Sequence, residues 1–101
     1  MTRKEALNNI ALTIEKLINA HGRRHDIFVT FCASDEEPDK YCSDWDRKFH
    51  GILPGDEYFM IYEHDANDME EPYHLLYTVN VSYDSPLTAA SELMDLVSRK
   101  F

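Results

Sequence analysis

The last third of the chain most constrains its fold, because a strand pattern there runs directly into a helix pattern. Apolar and polar side chains alternate from Tyr73 to Tyr83, which is the periodicity of a strand with one buried face. On that face we expect Leu75, Tyr77, Val79, Val81 and Tyr83. A buried strand this close to a helix predicts a layered core of α and β structure.

The helix that follows has clear start signals. Ser85 can accept hydrogen bonds from the free N–H groups of its first turn, and Pro86 suits its first position because proline has no N–H to satisfy. Its predicted apolar stripe consists of Leu87, Ala90, Leu93, Met94, Val97 and Phe101.

A second amphipathic helix is predicted at the start of the chain, from about Arg3 to His21. Thr2 and Glu5 have the spacing of a capping box, and Gly22 suits the residue that follows the last helical turn. The apolar stripe of this helix consists of Leu7, Ile10, Ala11, Ile14, Leu17 and Ile18.

Two further strands are predicted between these helices. Residues 27–33 alternate with Ile27, Val29, Phe31 and Ala33 on one face. Residues 57–64 are apolar on both faces, with Phe59 and Ile61 on one side and Tyr58, Met60 and Tyr62 on the other. A strand of this kind should be covered on both sides, and two helices cover only one.

The second cover has two possible sources, the segment around Trp45 and Phe49 or a second copy of the chain. We favour the first because large exposed apolar patches are rare on monomers. The alternative makes Tyr58, Met60 and Tyr62 candidates for self-association, so monomer and homodimer both stay open. Residues 41–53 read equally well as a short helix from Ser43 to Gly51 or as an edge strand.

The predicted fold is therefore a single α+β domain, with an antiparallel sheet of three to four strands and the N- and C-terminal helices packed on one face. The order is α-β-(short helix or edge strand)-β-β-α. This layout is similar to that of double-stranded RNA-binding domains, which use basic residues at the start of the last helix. Here that start, residues 85–90, has no basic residue. We expect no direct nucleic-acid binding.

Charge is concentrated in the middle of the chain. Residues 35–71 hold 13 acidic and three basic residues, so that this segment carries −10 while the whole chain carries −9. Such a field repels phosphates and attracts basic partners. We therefore expect a non-enzymatic interaction module that binds a basic protein, in its sharper form by presenting carboxylates in place of the phosphates of a nucleic acid. The candidate partner-binding residues are Asp35, Glu36, Glu37, Asp39, Asp44, Trp45, Asp46, Asp65, Asp68, Glu70 and Glu71.

Catalytic and metal-binding patterns are absent from the sequence. Cys32 and Cys42 are not at the short spacing of a zinc site. The run from Asp65 to Glu71 has Met69 where a calcium loop needs an oxygen ligand. Three glycines are too few for a phosphate or dinucleotide loop. We therefore expect no cofactor, no metal and no enzymatic activity. Without a signal segment or an apolar span, we expect a cytoplasmic protein that does not bind membranes.

Overall fold

A three-stranded antiparallel sheet forms the centre of the structure, a computed structural model that describes residues 1–101. The elements in chain order are α1 (Arg3–Gly22), β1 (Ile27–Cys32), α2 (Asp44–His50), β2 (Tyr58–His64), β3 (Tyr73–Asn80) and α3 (Pro86–Lys100). A single turn of 3-10 helix, Pro38–Lys40, precedes α2. The sheet order is β1-β2-β3. This confirms the predicted α+β fold, and residues 41–53 contain the short helix rather than a strand.

The two terminal helices cover one face of the sheet. Their shared core is a cluster of 13 buried residues, which we call the helix-side core. Its members are Leu7, Ala11, Ile14, Ile18, Ile27, Val29, Phe31, Ala33, Phe59, Ile61, Val81, Ala89 and Leu93. None of the helices is long and apolar enough to cross a membrane.

Helix α1 begins as predicted but ends one residue later. The hydroxyl of Thr2 accepts a hydrogen bond from the N–H of Glu5 at 3.2 Å. At the other end Gly22 is still helical, and Arg23 adopts the left-handed conformation with φ of 52°. A Cβ at position 22 would lie 3.1 Å from Cδ of Arg24. A larger residue at position 22 would therefore require the side chain of Arg24 to shift by a few tenths of an ångström, and the position has no positive φ that would favour glycine.

Helix α3 has the predicted caps, but its buried stripe is rotated relative to the prediction. The hydroxyl of Ser85 accepts from the N–H of Thr88 at 3.2 Å, and Pro86 begins the helix. Ala89 and Leu93 are fully buried, whereas Leu87 is 82% exposed. The rotation arises because α3 contacts both α1 and β3, so the residues between those two neighbours are buried.

Strand β3 also departs from simple alternation. Its register shifts where Ile61 pairs with Tyr77 while Tyr62 pairs with Leu75, so Leu76 is the extra residue of a β-bulge. As a result Leu75 lies on the opposite face from Tyr77 and Val79. Tyr83 lies beyond the strand with φ of 68° and is 99% exposed. The predicted five-residue stripe is therefore wrong at both ends.

The other sheet face is covered from within the chain, by residues 38–53. A second core of six buried residues lies there: Cys32, Ile52, Tyr58, Met60, Tyr62 and Leu75. Tyr41 and Cys42 pack against it, and the Tyr62 hydroxyl donates to the carbonyl oxygen of Tyr41 at 2.6 Å. Because Tyr58, Met60 and Tyr62 are buried in the monomer, they form no surface for a second copy. The cover comes from the loop on either side of α2, not from the rings of Trp45 and Phe49.

Candidate protein-binding surface

Helix α2 carries two large exposed aromatic side chains, Trp45 and Phe49. Trp45 and Phe49 are four residues apart and therefore lie on one face of the helix. Their rings are stacked, with centroids 5.0 Å apart and planes 9° from parallel. Trp45 is 67% exposed and Phe49 is 69% exposed. The chain thus holds two large rings in a defined geometry while leaving most of their surface in water.

Local signals explain why a helix of seven residues forms here. The hydroxyl of Ser43 accepts from the N–H of Asp46 at 3.2 Å, which caps the first turn. Gly51 ends the helix with φ of 68°, a conformation in which glycine avoids the steric penalty of other residues. Acidic residues lie in the first turn and basic residues in the last, in favourable alignment with the helix dipole.

A groove of about 360 Å³ separates α2 from the beginning of β3. We call it the α2 groove. Trp45 and Asp46 line it from the helix, and Glu71, Tyr73 and His74 line it from the other side. Aromatic rings and carboxylates therefore face the same space, although they come from parts of the chain that are some 25 residues apart in sequence.

The loop that contributes Glu71 is held in place by Asp68. Its carboxylate accepts from the backbone N–H groups of Glu70 and Glu71, at 3.2 and 3.0 Å, and contacts Nε2 of His74 at 3.0 Å. The N–H of Glu71 and the ring of His74 lower the pKa of Asp68. The same contact with Asp68 raises the pKa of His74. Asp68 is thus a structural residue of the loop.

Glu36 likewise has a structural role. It accepts hydrogen bonds from the hydroxyl of Tyr41 and from the N–H of Ala33, the latter at 3.3 Å. Lys4 lies 3.3 Å from its carboxylate. Burial tends to raise the pKa of Glu36, but these three partners outweigh it and the pKa is lowered. Glu36 therefore holds the loop after β1 against α1.

Some of the remaining acidic candidates form a hydrogen bond or an ion pair within the protein, and others form neither. Asp44 pairs with Arg47, and Asp46 accepts from the Ser43 hydroxyl at 3.1 Å. Asp65 accepts from the N–H of Asn67 at 2.9 Å, and Asp35 lies 3.8 Å from Lys4. The carboxylates with no hydrogen bond or ion pair are those of Glu37, Asp39, Glu70 and Glu71.

Two residues in the α2 groove, Tyr73 and His74, are not among the partner-binding residues predicted from the sequence, and neither is Phe49 beside it. Phe49 could have been found from its spacing to Trp45. Tyr73 and His74 could not, because only the tertiary structure brings the start of β3 to α2.

The cysteines do not suggest catalysis or metal binding. Both are free, and burial raises the pKa of Cys32 to about 11, which keeps the thiol protonated near neutral pH. No group of three or more histidine, cysteine or acidic side chains is arranged to hold a metal ion.

No protein-family model, no curated protein and no solved structure matches this chain.

Proposed function

We propose that this protein is a non-enzymatic interaction module that binds a basic protein through the α2 groove and the adjoining Trp45–Phe49 pair. The observation that carries this proposal is the exposed, parallel stack of these two rings beside Asp46 and Glu71. Both rings are more than two-thirds exposed, and their parallel stack presents a preformed apolar surface to a partner.

The chemistry of the groove suits a lysine or arginine side chain. An aromatic ring attracts a cation over its face, and the strength of this interaction rises when the cation leaves water. Glu71 has no internal partner, so it can pair with an incoming base without first breaking a contact. Aromatic residues at the centre of an interface typically contribute most of its binding energy.

Long-range attraction adds to this local chemistry. A chain with net charge −9 draws a basic partner toward it, and this steering raises the association rate mainly at low salt. In the narrower form of the proposal, the free carboxylates of Glu37, Asp39, Glu70 and Glu71 take the place of phosphates in the nucleic-acid site of that partner.

Trp45 provides a direct test, because it is the only tryptophan in the chain. The probe is a peptide of about twelve residues made of three Lys-Lys-Thr-Thr repeats, which places lysines on both faces when extended. We expect it to change the fluorescence of Trp45 at low salt, with binding that weakens as salt is added. A Glu-Glu-Thr-Thr peptide of the same length should leave the fluorescence unchanged.

Matched variants locate the binding. Glu71→Gln removes one charge from the groove, and we expect it to weaken binding roughly twofold to fivefold. Glu5→Gln removes one charge from the exposed start of α1 and should have no comparable effect. Equal effects of the two variants would mean that only net charge matters and would refute the assignment of the site.

A further inference from the structure

The two edge strands of the sheet differ in how far the rest of the chain covers their outer backbone groups. An edge strand presents unpaired N–H and C=O groups that can pair with another chain, and proteins usually protect them. One edge here is formed by β1 and the other by β3.

Helix α1 closes the β1 edge. Asn19 accepts from the N–H of Ile27 at 3.2 Å and donates to its carbonyl oxygen at 2.9 Å, so that one side chain replaces a neighbouring strand. Glu15 accepts from the N–H of Val29 at 2.9 Å. These contacts leave little of the β1 edge available to another chain.

The outer edge of β3 has no such protection. The backbone N–H of His64 donates to the carbonyl oxygen of Asp26, toward β1. The backbone N–H of Val81 donates to the carbonyl oxygen of Glu57, toward β2; both bonds are 2.8 Å long. Backbone groups in an antiparallel ladder alternate between its two sides. The N–H and C=O groups of Thr78 and Asn80 therefore point away from β2, and they make no hydrogen bond within the protein.

The composition of β3 also lacks the features that discourage pairing. The strand is eight residues long and contains no lysine, arginine, aspartate, glutamate or proline. Its bulge at Leu76 interrupts the edge once, and the residues from Tyr77 to Asn80 continue in regular register. This half of the edge is open to a further strand.

Acidic grooves lie on both sides of this edge. The α2 groove adjoins the first half of β3. A second groove of about 500 Å³, the α3 groove, runs between Thr78 and Val79 on one side and α3 on the other. Glu92 and Asp95 line the α3 groove, and the only base there, Arg99, is paired with Asp95 at 3.3 Å. The neighbouring carboxyl group of Asp84 raises the pKa of Glu92.

We propose that the basic partner binds in extended form, as a fourth strand added to the outer edge of β3, with its lysine or arginine side chains directed alternately into the α2 and α3 grooves. This proposal rests on the function proposed above and specifies the binding mode. Backbone hydrogen bonds to Thr78 and Asn80 would supply affinity, and the two acidic grooves would select a basic sequence.

Charge favours this occupant over a second copy of the chain. Two copies of net charge −9 repel each other. Pairing of β3 with β3 would also bring the acidic grooves of both copies together. A basic strand instead places opposite charges on both sides of the edge, which favours association.

The test uses the Lys-Lys-Thr-Thr peptide in two N-methylated forms of equal charge, each with six methyl groups. In the first, every odd-numbered residue is methylated, so one edge of the extended peptide keeps all its N–H groups. In the second, every threonine is methylated, so both edges are blocked. We expect the first to bind like the unmodified peptide. The second should bind at least about tenfold more weakly, because several backbone hydrogen bonds are lost.

Hydrogen exchange measured by NMR gives a second readout. In the free protein the amides of Thr78 and Asn80 should exchange fast, and those of Tyr77 and Val79 slowly. Binding of the unmodified peptide should slow Thr78 and Asn80. A Thr78→Pro variant, which removes an outward-facing N–H together with the threonine side chain but no N–H that faces β2, should weaken binding if its circular dichroism is unchanged. The peptide comparison stands even if that variant does not fold.

The outcomes separate the two proposals. Equal binding of both methylated peptides, with retained sensitivity to salt and to Glu71→Gln, would overturn the strand-addition mode and leave the proposed function intact. Slow exchange of the Thr78 and Asn80 amides in a peptide-free dimer would assign the β3 edge to a second copy of the chain. That result would also overturn the strand-addition mode. No binding of the unmodified peptide at low salt would overturn both.

Discussion

Arg3 and Glu57 form an ion pair at 2.8 Å that joins the first turn of α1 to the start of β2. The guanidinium of Arg3 also donates to the carbonyl oxygen of Val81 at 3.0 Å and to that of Asp84. One side chain therefore ties the N-terminal helix to the connection between β3 and α3. From its position in the helix, Arg3 would be expected to be slightly unfavourable because of the helix dipole.

Replacing Arg3 should therefore destabilise the fold. We expect Arg3→Met to lower the free energy of unfolding by about 1–2 kcal/mol, because hydrogen bonds to charged groups are lost and Glu57 keeps its charge without a partner. Urea unfolding followed by circular dichroism measures this change. The matched control is Arg23→Met, which replaces an arginine that makes no side-chain ion pair or hydrogen bond and should change stability by less than about 0.5 kcal/mol. Equal losses in the two variants would contradict the role of Arg3.

The second core can be tested at its centre. Met60 is completely buried between the sheet and residues 38–53. We expect Met60→Ala to cost about 2–5 kcal/mol, because it removes apolar contacts and leaves a cavity. Met69→Ala makes the same chemical change at a residue that is 89% exposed and should be nearly neutral. Thermal unfolding of both variants would show the difference, and similar melting temperatures would mean that the second face is not packed as described.

Closure of the β1 edge by Asn19 predicts a change in solubility as well as stability. Asn19→Ala removes both hydrogen bonds to Ile27, and we expect a loss of about 1–2 kcal/mol in the free energy of unfolding. The exposed edge should also increase concentration-dependent association, measurable by light scattering. Asn8→Ala, on the exposed side of the same helix, serves as the control. If Asn19→Ala behaves like this control, the edge does not depend on Asn19.

The contact between Asp68 and His74 predicts a specific pH dependence of the loop that follows β2. The raised pKa of His74 adds stability at pH values below its ordinary pKa of 6.5, and this is lost as pH rises through the raised value. The lowered pKa of Asp68 adds stability above 3.8, and this is lost as pH falls through the lowered value. The contact should therefore be strongest between about pH 4 and pH 6.5.

An NMR titration of the His74 ring tests this directly. In Asp68→Asn the pKa of His74 should return toward 6.5, because the charged partner is gone. Asp39→Asn changes the charge by the same amount at a residue with no contact to His74, and the pKa should stay raised. A His74 pKa that is the same in all three proteins would show that Asp68 does not cause the shift.

The acidic candidates show where prediction from sequence stops. Glu36 and Glu37 are neighbours of the same residue type, and nothing local distinguishes them. The structure directs Glu36 inward to Tyr41, Ala33 and Lys4, whereas the side chain of Glu37 has no partner. Trp45 could be proposed as a contact residue from its acidic surroundings. The groove that it shares with Glu71 and Tyr73 could not be predicted, because it depends on how the whole chain folds.

The sequence alone determined the features that depend on nearby residues. The caps at Thr2 and Ser85 and the two-faced pattern of β2 are set within one or two turns or a few alternating positions, and the structure has each of them. The cap at Ser43 belonged to one of two equal readings of residues 41–53, and the structure has the helical one. Only the tertiary structure decided the bulge at Leu76, the cover over Met60 and the difference between the two sheet edges. Each of these requires contacts between residues distant in sequence, and such contacts form only when the packing of the whole domain outweighs local preference.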